Sequence, residues 1–508
     1  MKYSEVVCII KEIENKFPVD KWVIDKIHIW PIIRIELQFK FYFSKVDKLK
    51  NNIKLIRYAI TAIHMLANFL KYIYAYFADF RRNDNINKPV DIVFLTHSLY
   101  RTLLNGLYYD RLCGPFIDAF QDMNIKTLTL EAAEGLGDLS YRYRLPRYKP
   151  SIFIQHRLDY LKIKNILFRE KPNLENEKLE GFSNFITYLQ SKSYGIINPS
   201  IEDLRHQVKM ILEISGYFKK IFTKIKPSAV FMTNYYSLMG FAFNLACRQT
   251  NLPSVDIQHG IAGEYHCAYG QWNKIPEGGY EVLPSVFWCW NDEEANAVLK
   301  WNKNVSNFHR PFVGGDLWLN LWKNPDSHIV KYYDNQVLQM KSNSNKPFFI
   351  LYTFNILHGI PESVINAIRL SSGSFHWWIR IHYGQLDKRR AVINFLKRQN
   401  ITNFEVDLAT DLPLPALLRH ADVHITDFSS IVIEAEYFSV PSIFIHEDGA
   451  LFFSKQIASG MIVAAYNNDE LLRAIELQLS KKNEMRQLER KSPVDNLDII
   501  KEFLATIK

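Results

Sequence analysis

The chain has 508 residues, enough for two ordinary hydrophobic cores rather than one. Its 48% hydrophobic and 23% charged content, without repetitive or Gly/Ser/Pro-rich tracts, excludes a disordered chain, and five cysteines lacking CxxC spacing exclude a disulfide framework or zinc knuckle. The net charge of +9 is concentrated at one end: residues 1–90 hold 16 Lys/Arg against 9 Asp/Glu, and the remainder is nearly balanced.

The first residues, MKYSEVVCIIKEIENKF, carry charges where a signal peptide would be apolar, so a cytoplasmic protein is expected. Residues 1–88 read as a helical, basic region. Within it, Leu55–Arg82 is aromatic-rich and flanked by Lys50, Lys54, Arg81 and Arg82, while His64, Asn68 and Lys71 interrupt the apolar run short of the ~20 residues that span a bilayer. Such a helix suits the surface of an anionic membrane, which makes a peripheral membrane association one expectation; ordinary packing on the protein body is the other. No basic-aromatic motif points to nucleic acid.

Beyond residue 88, short apolar runs bounded by Pro, Asn or Gly alternate with helical patterns. Pro89–His97, Ile125–Glu131, Pro227–Asn234, Leu252–Gly260 and Pro284–Asn291 are predicted strands, with helices over Glu202–Lys224 and Leu238–Thr250. A second series has strands at Lys346–Asn355, Ser374–Gly384, Asn403–Asp407, Ala421–Ser430 and Val440–Asp448. Helices are predicted between them at Pro361–Leu370, Lys388–Arg398, Leu414–His420 and Ser430–Phe438. This alternation predicts two α/β units with parallel sheets covered on both faces, spanning 89–315 and 316–508. Ligands of such sheets bind beyond the carboxyl ends of the strands, so the strand ends are where chemistry is expected.

Several strand ends carry reactive side chains. Glu131 and Glu134, in LEAAEGLGDL, follow a predicted strand beside the glycines 135 and 137, and with Asp110 they are the candidate general bases; capping or surface roles suit them equally. Gln258 and His259, in VDIQHG, project at a strand end before a glycine that allows a tight turn. His259 is the leading catalytic candidate of the first unit, as an acid/base or as a ligand of a leaving phosphate. Gly314–Asp316 reads as a turn into the second unit, because it lacks the full dinucleotide-binding pattern. Arg380 and His382, in WWIRIHYG, pair a guanidinium with an imidazole, a combination that neutralises phosphate oxygens.

The stretch ADVHITDFSSIVIEAEYFSVPSIFI (421–445) runs a strand into Asp427, Ser429 and Ser430 at a helix start, with Glu434 a turn later. Hydroxyls and N–H groups at such a place hold an anion or simply cap the helix.

Taken with Asp411–His420 before it, this stretch resembles the nucleotide-binding half of GT-B glycosyltransferases, and most of all the bacterial surface-polysaccharide group with the CDP-glycerol glycerophosphotransferases and capsule polysaccharide transferases. The resemblance covers about residues 312–475. It implies two Rossmann-like domains facing a cleft, with Ser429, Ser430 and Glu434 contacting the nucleotide phosphates and ribose, and Asp427 beside them. It also implies donor contacts from Arg380, His382 and Gln258, although Tyr383 stands where the group carries proline, and it places His259 at the cleft. No cofactor or metal is expected, since neither HExxH nor a plausible DxD is present, and helix ends with Arg and His side chains stabilise a leaving phosphate without a cation.

The expected function is transfer of a sugar from a nucleotide-sugar donor to a surface polysaccharide or lipid-linked glycan acceptor. A glycerophosphate-type transferase, a nucleotide-sugar epimerase and a non-catalytic scaffold of polysaccharide assembly remain alternatives.

Overall fold

The computed structural model describes residues 3–47, 89–132, 151–167, 177–191, 199–354, 359–427, 429–488 and 495–507. The segment Leu55–Arg82 and Glu134 lie outside the described residues. Two compact units are present, the first comprising Met1–Arg101, Leu107–Asp316 and Asn496–Lys508, the second Thr102–Gly106 and Leu317–Asp495. Both are α/β, as the alternating pattern predicts.

The sheet of the first unit is built from β1 (Ile92–His97), β2 (Thr127–Ala132), β3 (Ser151–Phe153), β4 (Ala229–Thr233), β5 (Ser254–Ile257), β6 (Val286–Cys289) and β7 (Arg310–Val313). Its edge-to-edge order is β3-β2-β1-β4-β5-β6-β7, and every pair is parallel. β1, β4, β5 and β6 are buried almost throughout, which is why their sequences read as continuous apolar runs rather than alternating ones. The short strands β3 and β7 gave no such signal.

In the second unit, β8 (Phe348–Phe354), β9 (Phe375–Ile381), β10 (Phe404–Glu405), β11 (Val423–Thr426), β12 (Ser442–Phe444) and β13 (Ile462–Ala464) run in the order β10-β9-β8-β11-β12-β13, again all parallel. Each sheet therefore repeats the 3-2-1-4-5-6 order of a Rossmann-like unit. In each, the direction of winding reverses beside the first strand, between β1 and β4 and between β8 and β11, and it is beyond the carboxyl ends at such a reversal that these sheets bind ligands.

Of the basic region 1–88, the described part belongs to the first unit. Helices α1 (Tyr3–Lys16) and α2 (Trp30–Asp47) are joined through a buried ion pair between Glu14 and Arg34. The Trp30 indole N–H (2.8 Å) and the Asn273 backbone N–H (2.9 Å) also donate to Glu14, and the Arg34 Nη2 donates to the carbonyls of Gly270 (2.8 Å) and Gln271 (3.0 Å).

Helix α3 (Ile201–Ile225) starts with Glu202 and Asp203 against its dipole and buries Leu204, Val208, Ile211, Phe218 and Phe222 on one stripe, the spacing that made it readable. Helix α4 (Leu238–Gln249) follows β4 and is capped by Ser237, whose Oγ accepts from the Gly240 N–H at 3.0 Å.

Further along come the seven-residue α5 (Ile431–Tyr437) and the C-terminal α6 (Asn496–Thr506). The sequence reading put residues 316–508 in one domain, whereas α6 lies in the first unit. The reason is aromatic packing: fully buried Phe503 sits 5.0 Å from Phe312, 5.4 Å from Trp288 and 5.8 Å from Phe231.

Gly314, at the turn out of β7, has no room for a side chain. An added Cβ would lie 2.0 Å from the ring of buried Trp288, whose indole N–H is held by the Gly315 carbonyl at 2.9 Å. Gly314→Ala is therefore expected to destabilise the protein by about 1–3 kcal/mol in denaturant unfolding; unchanged stability would show that Trp288 gives way.

Candidate functional site

Each unit is described by itself, and in the first none of the described side chains singled out in the sequence lines the cavity at the winding reversal. In the first, β1 ends at His97 and β4 at Thr233. A cavity of about 320 Å³ opens there, lined in part by Thr96, His97, Tyr100, Gln155, Asn234 and Ser237. Asn234 takes the left-handed conformation (φ 60°) that brings the chain around from β4 toward α4. Gly240 in the first turn of α4 admits no Cβ, which would lie 2.4 Å from the Tyr235 carbonyl oxygen.

His259 sits just past β5, half-buried, with its ring 5.6 Å from that of Tyr100 and 5.8 Å from that of Tyr236. Its Nε2 is 3.2 Å from the Tyr236 hydroxyl. Burial, aided by the nearby Arg111 charge, pushes its pKa down to about 4. His259 is consequently a neutral imidazole near pH 7 rather than the cation that would bind a phosphate by charge.

Three neighbours are tied into the fold. Gln258 is buried and fully engaged: its Nε2 donates to the Gly260 carbonyl (2.8 Å) and to Glu294 (2.6 Å), and its Oε1 accepts from the Trp290 N–H (2.8 Å). It fixes the turn that carries His259, which leaves no group for a donor molecule. Glu131 lies within β2 rather than after it, and its carboxylate pairs with Arg101 at 3.3 Å where both are buried. An ion pair of this kind opposes service as a free base. Asp110 accepts from the N–H groups of Leu112 and Cys113, each at 2.9 Å, with one oxygen, while its second has no partner among the described residues. Burial raises its pKa to about 6 against the lowering effect of those N–H groups and of Arg101 and Arg111.

Sequence reasoning passed over Asp256. It is buried inside β5, accepts from the Tyr235 N–H (3.1 Å) and the Tyr269 hydroxyl (2.9 Å), and burial raises its pKa to about 8. A carboxylate in the middle of the apolar run SVDI was the signal. Through it, Tyr235 and Tyr269 are fixed, and Tyr236 stands between His259 and His266, 5.5 Å from the latter.

In the second unit, register places Arg380, Thr353 and Thr426 side by side across β9, β8 and β11. Asp427 follows at the carboxyl end of β11. Its Oδ2 is buried without a partner among the described residues, and burial raises its pKa to about 7. Ser429 rather than Ser430 caps the turn, its Oγ accepting from the Ile431 N–H at 3.3 Å; Ser430 has helical angles and makes no capping bond. Glu434 is buried one turn into α5. Asp427, Ser429, Ser430 and Glu434 thus follow one another from the end of β11 into α5.

Arg380 has one nitrogen engaged within the fold. Its Nη1 donates to the carbonyls of Ala409 (2.8 Å) and Leu412 (2.7 Å), bracing the 407–412 segment. His382 lies exposed beyond β9. Behind the site, His424 is buried with its nitrogens 2.9 Å from the Thr353 hydroxyl and 3.0 Å from the Ser442 hydroxyl, and burial holds its pKa at about 3.

These shifts set a pH dependence. Asp427, Asp256 and Glu294, raised to about 7, 8 and 8, contribute stability that is complete below ordinary carboxylate values and is lost as pH rises through 7 to 8. His259, His309 and His424, held at about 4, 4 and 3, contribute stability that is complete above 6.5 and is lost on acidification. A higher Tm at pH 6.5 than at pH 8.5 is expected, each buried carboxyl costing about 1.4 kcal/mol per pH unit in the falling range. Equal Tm values would show that these carboxyls ionise freely.

All five cysteines are free thiols, and among the described residues no group of three His, Cys, Asp or Glu is placed to hold a metal ion. No described helix is long and apolar enough to cross a membrane.

No family model and no curated protein matches the chain. Among solved structures, it is similar to the UDP-GlcNAc 2-epimerase of Neisseria meningitidis bound to UDP-GlcNAc: 15% identity, 82% of this chain and 100% of that one, TM-score 0.49. The UDP-GlcNAc 2-epimerase of Methanocaldococcus jannaschii with UDP-GlcNAc and UDP gives 16% identity, 82% and 99% coverage and a TM-score of 0.47. An E. coli trehalose-6-phosphate protein bound with UDP-2-fluoro glucose gives 12%, 82% and 98%, and 0.45. At such identities none of them carries a residue's role to this chain.

Proposed function

We propose that this chain is a metal-independent glycosyltransferase that takes a nucleotide-activated sugar in its second unit and a glycan acceptor in its first. The reading rests on the β11–α5 connection, which carries Asp427, Ser430 and Glu434 at the winding reversal of the second sheet, with an Asp427 oxygen buried and without a partner among the described residues. A carboxyl whose pKa lies near 7 is half protonated at neutral pH, and an arriving phosphate favours the protonated form, which donates a hydrogen bond to a phosphate oxygen. Ser430 adds a hydroxyl donor, and Glu434 accepts from a ribose hydroxyl. The seven-residue α5 adds a modest dipole of the right sign.

In the first unit, neutral His259 has the protonation state needed to take a proton from an acceptor hydroxyl, with Tyr236 orienting the ring. Its affinity for protons rises when an anionic ligand binds beside it. Asp110, with a pKa near 6 and one unpartnered oxygen, is the carboxylate best tuned to assist. A lipid-linked or surface glycan suits the basic composition of residues 1–90, whose aromatic segment would keep the enzyme at an anionic membrane face.

The test is nucleotide release from UDP-, GDP-, CDP- and CMP-sugars, with and without glycan acceptors. The reading expects release from one donor that depends on acceptor. Conversion of the donor without any acceptor would make the protein an epimerase, and no turnover or binding of any donor would leave the scaffold reading.

A further inference from the structure

A second cavity, of about 590 Å³, lies in the first unit at the opposite edge of the sheet, against the amino ends of β5, β6 and β7. Helix α4 borders both cavities. Its first residues, Leu238 and Met239, line the one at the winding reversal, and Asn244 and Arg248 line this one. From Leu238 to Arg248 the helix rises about 15 Å, so a molecule bound here is separate from one bound at the reversal.

The lining contains two cations and no carboxylate among the described residues. Arg248 stacks 4.2 Å over the Phe308 ring and donates one Nη2 bond to the Gly278 carbonyl at 2.6 Å. Arg310 donates from Nη2 to the carbonyl and hydroxyl of Thr506, each at 3.0 Å. Each guanidinium is thus oriented through one nitrogen, and its Nε and Nη1 make no hydrogen bond in the described structure. His309 in the floor is a neutral pillar: Nδ1 donates to the Pro284 carbonyl (2.8 Å) and Nε2 accepts from the Tyr280 N–H (3.1 Å).

Asn244 supplies an independent observation. It is 1% exposed, its Nδ2 donates to the Val282 carbonyl at 3.1 Å, and its Oδ1 is buried without a partner. A buried carbonyl oxygen of this kind is costly unless a donor reaches it. Two oriented guanidiniums select an anion, and an unsatisfied acceptor selects a hydroxyl or amine beside it.

We propose that this cavity is a second binding site, separate from the nucleotide and acceptor sites, for a small hydroxylated phosphate of the sugar-phosphate class. The inference does not depend on the transferase reading, because the residues differ.

The test is calorimetric titration of glucose 1-phosphate into the full chain, with inorganic phosphate and glucose as its two halves. Saturable binding of glucose 1-phosphate is expected, at least tenfold tighter than that of phosphate. Arg248→Glu, a substitution at an exposed position, should weaken it at least tenfold with unchanged Tm, and so should Arg310→Gln. Asp427→Ala/Ser430→Ala should leave it unchanged. The proposal is overturned by no saturable binding at millimolar concentration, by binding that survives Arg248→Glu, or by binding lost only in the Asp427/Ser430 variant. Equal affinity for phosphate and glucose 1-phosphate would overturn the assigned ligand class.

Discussion

Arg34→Ala is expected to lower the free energy of unfolding by about 3–5 kcal/mol, a large share of what a domain possesses. The substitution leaves the Glu14 carboxylate buried with only the Trp30 and Asn273 donors. It also strips the Gly270 and Gln271 carbonyls of their donor and removes a cation stacked 4.1 Å from the Trp272 ring. Because Arg34 and Glu14 join α1 and α2 to the 270–273 loop, the loss reaches the part of the first unit that carries His266 and Tyr269. Arg34→Lys keeps the charge without the fork and should recover only part of the loss. Denaturant unfolding followed by tryptophan fluorescence checks this; a change below about 1 kcal/mol would mean that the two helices are held by apolar packing alone.

If the protein is the transferase proposed above, His259→Ala is expected to lower its rate by about 10²- to 10⁴-fold, the range for loss of a positioned acid/base, while the melting temperature stays near that of the parent. The asymmetry follows from the structure. His259 lies just past β5, outside the sheet, with its ring against Tyr100 and Tyr236 and its Nε2 3.2 Å from the Tyr236 hydroxyl, so its loss breaks no strand pairing. Tyr236→Phe removes that partner and should reduce the rate less, since the imidazole remains. Steady-state kinetics with donor and acceptor varied separately make the comparison. A His259→Ala rate within twofold of the parent would remove the residue from the chemistry and turn attention to Asp110.

The sheets were legible because parallel strands covered on both faces are continuous apolar runs: FFILYTF, FHWWIRI and VHIT left little choice. What escaped was short or irregular. SIF at 151–153 and RPFV at 310–313 are too brief for a periodic signal, and α6 joins the first unit through side chains such as Phe503, whose destination among Phe231, Trp288 and Phe312 no local pattern announces.

The motifs of the candidate site were legible as strand ends, and the partners of their side chains were not. QHG, RIH and DFSS all fall at carboxyl ends of strands or just beyond them. Which of their atoms are available is decided by partners distant in sequence: Glu294 and Trp290 occupy Gln258, Ala409 and Leu412 take Nη1 of Arg380, and Arg101 pairs with Glu131. Burial, which no sequence pattern states, makes His259 neutral and leaves Asp427 half protonated near pH 7.

The central claim is that the second unit holds a nucleotide against Asp427 and Ser430. Calorimetric titration of UDP, GDP, CDP and CMP into the parent protein and into Asp427→Ala/Ser430→Ala tests it most directly. The account predicts saturable binding of one nucleotide class, weakened at least tenfold in the double variant, which remains folded. Equal affinity in parent and variant, or no binding of any of the four, would contradict it.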